Sequence, residues 1–240
     1  MKRLLSIVGL LIGPSFATGL DDPTRGEGIT VQKVQGEVSV RHGVAEEWTS
    51  VRQGDILRPD DTMKTGKKGR AVIITRGQGP AAKTILLPSE VIVDMSDVRE
   101  LSQEELMLKL TMEKVRSSGY EWKNNEMNIP NATVMHGDPP VSPALTENQV
   151  EVGTFELNGA RVLYDNGFYS TCALRTMGVL RRYPSLKQEF KNCVLVAESL
   201  EKANLRSEAL NEYNSLAALE GVTPAQKGLL KEKIDRLRNR

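Results

Sequence analysis

Few side chains in this sequence are of the kinds that carry out reactions, and their spacing serves reaction poorly. The two histidines, His42 and His136, fall at a strand end and in an irregular stretch, so neither a metal cluster nor a Ser-His or Cys-His pair has material. Thr111-Met112-Glu113-Lys114 has a hydroxyl-to-lysine spacing used in acyl transfer, but without companion motifs it reads as a solvated helix face. Gly77-Gln78-Gly79-Pro80-Ala81-Ala82-Lys83-Thr84 imitates a phosphate-binding loop. Such a loop needs a helix N-terminus next, whereas Ile85-Leu86-Leu87-Pro88 reads as a strand and Pro80 removes a backbone donor. The expectation is therefore no catalytic, cofactor-binding or metal residue, no bound nucleotide, and no enzyme. A hydrolase would need a buried carboxylate pair or a Ser-Lys couple in one cleft.

The chemistry left is that of recognition. Lys64, Lys67, Lys68 and Arg70 cluster on one expected hairpin tip, which reads as an exposed charged turn and, alternatively, as a contact for an anionic polymer. The formal charge of +1 becomes −1 without Lys2 and Arg3, so no global field favours nucleic acid or anionic lipid. Partner choice must be local.

The chain opens with a basic Met1-Lys2-Arg3, an apolar run from Leu4 to Phe16 and then small residues, the layout of a secretory signal peptide over residues 1–19. A retained anchor is the alternative, although the run falls short of the ~20 residues that span a bilayer. No other stretch is apolar for long enough to cross a membrane, so the mature protein is expected in the periplasm or outside the cell. Export would permit Cys172 and Cys193, the two thiols, to pair. Counting from the turn at Pro184-Ser185 leaves them offset by about 5 Å along neighbouring helices. A disulfide needs Cα atoms within about 7 Å, so two buried free thiols are favoured and the disulfide is the alternative.

Residues 28–137 read as an all-β domain, a small sandwich or coil of strands. Val38 and Val40 alternate with Glu37, Ser39 and Arg41, as in a half-buried strand, and Gly36 marks a bend. Trp48 and Val51 are expected to pack on the same core. Leu57-Arg58-Pro59-Asp60-Asp61 is turn chemistry, because Pro presets φ and the Asp side chains bond nearby backbone. Gly66-Lys67-Lys68-Gly69 offers two residues free to take positive φ, and Ala71 to Ile74 reads as a run buried on both faces. Thr84–Leu87 and Val91–Val93 continue the sheet after a turn at 76–80. Residues 101–117 are ambiguous: Ser102 and Glu105 form a capping box before good helix formers, which favours helix, while Leu106, Leu108, Leu110 and Met112 alternate at strand period.

These parts resemble the FecR-type periplasmic domain. The elements that carry the resemblance are Gly54-Asp55, Asp60-Asp61, Thr65-Gly66, the Ala71–Thr75 strand and Leu86-Leu87-Pro88-Ser89, over residues 30–93. Asp60 stands where that family usually has Gly, which the left-handed tolerance of Asp accommodates. The family's later Arg-Gly-Thr signature has only a distant echo at Asn128–Gly137. With residues 1–19 read as a cleaved leader, the cytoplasmic segment and membrane span of sigma-factor regulators are not expected, so the resemblance implies a shared module without the regulator's role.

Residues 138–148, with Pro139-Pro140 and Pro143 nearby, read as a linker, and from 149 to 240 the apolar period becomes helical. Leu163 to Pro184 and Leu200 to Tyr213 resemble tetratricopeptide repeats, with Gly167 and Asn204 at the turns and Cys172 and Ala209 at the small buried position. An ordinary bundle of the same helices is the alternative. Thr223-Pro224 caps a last helix through Leu237. The fold class expected is α+β, a FecR-like β domain followed by tetratricopeptide-like helical hairpins. Such repeats leave a groove for a peptide, so the expected role is an envelope scaffold that binds another protein, with Tyr169, Arg175, Arg181 and Arg182 as groove candidates. The alternative is a cell-wall or polysaccharide binder that uses Lys67, Lys68 and Arg70, with the helices as a spacer.

Overall fold

The structure, a computed structural model, describes residues 28–75, 82–117 and 147–239. The expected leader, the turn at 76–80, His136 and the irregular segment up to 146 lie outside the described residues. The chain is α+β, with extended segments first and helices after them.

The strands are β1 (Ile29–Gln35), β2 (Val38–Arg41), β3 (Thr49–Ser50), β4 (Ile56–Leu57), β5 (Thr62–Thr65), β6 (Arg70–Thr75), β7 (Lys83–Leu87) and β8 (Val91–Asp94). They form two four-stranded antiparallel sheets, ordered β4-β1-β6-β7 and β3-β2-β5-β8. The chain changes sheet at Gly36 and again between Gly66 and Gly69, and these two crossings lie directly on one another. The Gly66 amide donates to the Glu37 carbonyl at 2.9 Å, and a Cβ at Gly69 would stand 2.0 Å from that carbonyl oxygen. The expected use of Gly66 and Gly69 for positive φ is thus corrected. Positive φ falls at Gly36 (68°), and Gly69 is needed for close backbone approach.

Two turns repeat one device: the Asp55 carboxylate accepts from the Arg52 amide at 2.7 Å, and Asp61 from the Arg58 amide at 2.8 Å. Asp60 does not use its left-handed tolerance, since Glu90 and Asn204 are the positive-φ residues other than glycine among those described. Buried Thr65 fastens β5 to the β7–β8 turn, donating to the Pro88 carbonyl at 2.6 Å and accepting from the Val91 amide at 3.0 Å.

Two expectations about burial are corrected. The Ala71–Ile74 run is buried on one face only, with Ala71 and Ile73 inward while Val72 and Ile74 are half-exposed. Trp48 stays outside the core and lies beneath Arg41 and Lys64, whose charged ends are 5.2 and 5.7 Å from its ring centre.

The helices are α1 (Gln103–Ser117), α2 (Glu147–Asp165), α3 (Tyr169–Arg182), α4 (Phe190–Lys202), α5 (Arg206–Ala217) and α6 (Pro224–Arg238). Residues 103–117 therefore form the favoured helix. The Ser102 hydroxyl accepts the Glu105 amide at 3.1 Å, but the Glu105 carboxylate pairs with Arg99 and Lys109. The strand-like alternation arises because both sides of α1 carry apolar residues. Leu106 and Leu110 are buried, while Leu108, Met112 and Val115 form an exposed stripe at helical spacing.

From α2 to α6 each helix packs on the next. Gly167 (φ 84°) and Asn204 (φ 62°) make the α2–α3 and α4–α5 turns, and Cys172 and Ala209 are fully buried. Leu219 falls beyond α5 and is exposed. α6 opens with a complete capping box between Thr223 and Gln226.

The sheets and helices are joined through one apolar cluster that runs from Val31, Met63 and Ile73 to Ala160, Leu163, Phe168 and Cys172. α2 lies so close on β8 that a Cβ at Gly159 would be 2.0 Å from the Ile92 carbonyl oxygen. Asn158 adds a hydrogen bond of 2.9 Å to the Glu90 carbonyl.

Candidate functional site

The seam between the two halves ends in a groove of about 430 Å³ between α1 and α3. Its most buried cation is Arg175 on α3, whose side chain is 13% exposed. The guanidinium pairs with Asp94 at the end of β8, with Asp97 on the following 3-10 turn at 3.6 Å, and with Glu156 on α2 at 3.6 Å. Thr62 donates to the other Asp94 oxygen at 2.6 Å. Strand, turn and two helices thus meet on one cation.

The crowding of carboxylates has an electrostatic consequence. Burial pushes the Asp97 carboxyl up to about 6, with help from the Asp94 charge and against the pull of Arg175. For Arg175 itself, burial favours the neutral form, but Asp94, Asp97 and Glu156 outweigh it and raise the pKa. Its Nε is buried without a hydrogen-bond partner.

Along the groove the ion pairs share a polarity. Glu113 is 8% exposed and receives Arg181 Nε at 2.7 Å and Arg116 at 3.7 Å, although those arginines are 36% and 59% exposed. Glu156, at 13%, receives Arg182, at 44%, across 2.5 Å. Lys109 and Arg99 are likewise more exposed than their partner Glu105. Cations therefore face solvent over carboxylates set beneath them, Arg175 being the exception. Leu101, Met112 and Leu174 contribute apolar surface to the same lining.

Three of the four expected groove residues, Arg175, Arg181 and Arg182, come together here. Their surroundings differ from the expectation, because α1 lies over this side of α3. Tyr169 is elsewhere, edge-on to Tyr164 with ring centres 5.2 Å apart. A second hollow, of about 360 Å³, lies across α4 and α6 and is lined by Tyr164, Glu198, Glu201, Lys233 and Arg236. Four of its charges are paired: Lys233 meets Glu198 at 2.5 Å, and Glu201 receives both Arg236 at 2.7 Å and the Tyr213 hydroxyl at 2.9 Å. Burial pushes the Tyr164 phenol up to about 12.

The expected basic tip is split. Lys64 lies on Trp48, while Lys67 is 76% exposed and 3.7 Å from Glu151 of α2; Lys68 and Arg70 are exposed nearby in sequence. The disulfide alternative is corrected, for both thiols are free. Cys172 is buried against Ser199 and Thr176, whereas Cys193 is half-buried with its sulfur 3.5 Å from the Lys187 carbonyl, so the two point to different neighbours. Burial raises both thiols, Cys172 to about 11.

Asp94, Asp97 and Glu156 were not singled out from sequence, and Glu113, read there as part of a solvated helix face, is instead buried. Glu113 carried a signal, since it extends the Leu106 and Leu110 face by one helical step and so had to be buried and paired. Asp94 and Arg175 are 81 residues apart, and no local pattern announces such a pair. No protein-family model, curated protein or solved structure matches this chain.

Proposed function

We propose that this chain is a non-enzymatic, exported recognition module, a FecR-like β unit fused to tetratricopeptide-like hairpins, that binds another protein of the cell envelope. The observation that carries the reading is the open α1–α3 groove, where solvent-side cations stand over buried carboxylates beside exposed apolar side chains. The repeat-like layout supports the helical half of the reading: Gly167 and Asn204, and likewise Cys172 and Ala209, are separated by the same 37 residues. The basic-then-apolar start of the chain supports export. Crosslinking in the native host, followed by mass spectrometry, tests the proposal. A protein joined through groove residues sustains it; turnover of an envelope polymer by the purified chain removes it.

The rival carboxylate-pair hydrolase has Asp94 and Asp97 as its material, but both are engaged by Arg175 and Asp94 also by Thr62. The same turnover assay decides it. A second reading, a cell-wall or polysaccharide binder, is favoured by the exposure of Lys67, Lys68 and Arg70. Pulldown with purified envelope polymer distinguishes it, since retention would disappear when those three residues become Ala.

A further inference from the structure

Resting on the reading of the chain as a protein-binding module, we infer that the α1–α3 groove takes an acidic peptide segment with aliphatic anchors. Charge complementarity argues for the acid. In the pairs of Arg116 and Arg181 with Glu113, of Arg182 with Glu156, and of Lys109 with Glu105, the cation is the more exposed member each time. A ligand approaching from solvent meets positive charge first. Arg181 engages its carboxylate through Nε, and a guanidinium carries five N–H donors, so it can donate to a further carboxylate without releasing the first.

The apolar side argues for a peptide over a polysaccharide or a nucleic acid backbone. Met112, 46% exposed, lies in the groove lining together with Leu101 and Leu174. An anionic sugar chain brings the charge but no alkyl groups to cover this surface. Gly178 adds an independent observation: it sits within α3, in the groove lining, and a Cβ there would meet nothing within 4 Å. Glycine inside a helix costs about 1 kcal/mol relative to Ala, and packing within the fold does not require it here. An occupant that passes close over α3 would. α1 has 15 residues and is about 22 Å long, matched by about seven residues of extended peptide.

The test uses the purified full chain and a labelled peptide of about ten residues carrying Leu among Glu, compared with an all-Glu peptide, heparin and anionic phosphatidylglycerol vesicles. The Leu-bearing peptide is expected to bind best, in a salt-sensitive manner. Binding should fall about tenfold in Lys109→Glu with Arg116→Glu, where only partly exposed pairs are lost, and about tenfold in Met112→Ser. Gly178→Leu should block the groove and abolish binding while the protein unfolds at the same temperature or higher, which separates lost binding from lost folding. The inference is overturned if the all-Glu peptide, heparin or vesicles bind as tightly as the Leu-bearing peptide, or if Gly178→Leu binds unchanged. It is equally overturned if no probe binds while crosslinking maps a partner to another face, an outcome that leaves the module reading standing.

Discussion

Replacing Asp97 by Asn tests the ionic junction that ties β8 to α3. Asp97 is 24% exposed, and its carboxyl is raised from 3.8 to about 6, chiefly by burial and secondarily by Asp94, with Arg175, Lys109 and Arg99 opposing. A gap of about two units corresponds to about 3 kcal/mol, an upper value given the remaining exposure. The sign follows from a folded-state pKa above the unfolded one. Well below pH 3.8 the group is protonated in both states and costs nothing. As pH rises toward about 6 the unfolded chain ionises first, so the native state loses stability, and the loss is complete above that. Asn cannot ionise. The stability of Asp97→Asn relative to wild type should therefore rise between about pH 4 and about pH 7, by up to about 3 kcal/mol. Urea unfolding of both proteins across that range measures the difference, and any constant offset from the amide cancels. Parallel stability curves, or a variant that loses ground as pH rises, would refute the assignment.

Three further outcomes are expected. Gly159→Val should destabilise by about 3 kcal/mol or more, because its side chain would run into the Ile92 carbonyl and force α2 off β8; thermal unfolding checks this. Thr65→Val should cost about 1–3 kcal/mol by leaving the Val91 amide and the Pro88 carbonyl without their buried partner, a loss readable in chemical denaturation. In the native state a thiol reagent should label Cys193, slowly, and spare Cys172 until the protein is unfolded; equal rates at both would contradict the burial described.

Much of the fold was legible because it is local. Asp55 and Asp61 bond amides three residues back, Thr223 caps its helix, and Gly167 and Asn204 turn between helices, all within a few residues of chain. Trp48 misled because its size suggests a core, whereas its ring serves as a platform for Arg41 and Lys64. Gly69 misled because a glycine's freedom of φ and its lack of a Cβ look alike in sequence, and only the Glu37 carbonyl beside it tells which is used. The alternation in α1 kept a strand open beside the favoured helix because the helix presents apolar residues on its open side as well as on its packed side. The groove was half legible. Arg175, Arg181 and Arg182 stood out as helix-borne cations, but the carboxylates beneath them come from α1, α2 and β8 and are brought there by tertiary packing alone.

Recognition through the α1–α3 groove is tested most directly by hydrogen exchange on the full chain with and without the Leu-bearing acidic peptide. Slowed exchange confined to 103–117 and 169–182 is the expected result. Slowed exchange at the β5–β6 tip or across α4 and α6 instead, or no change anywhere, would contradict it.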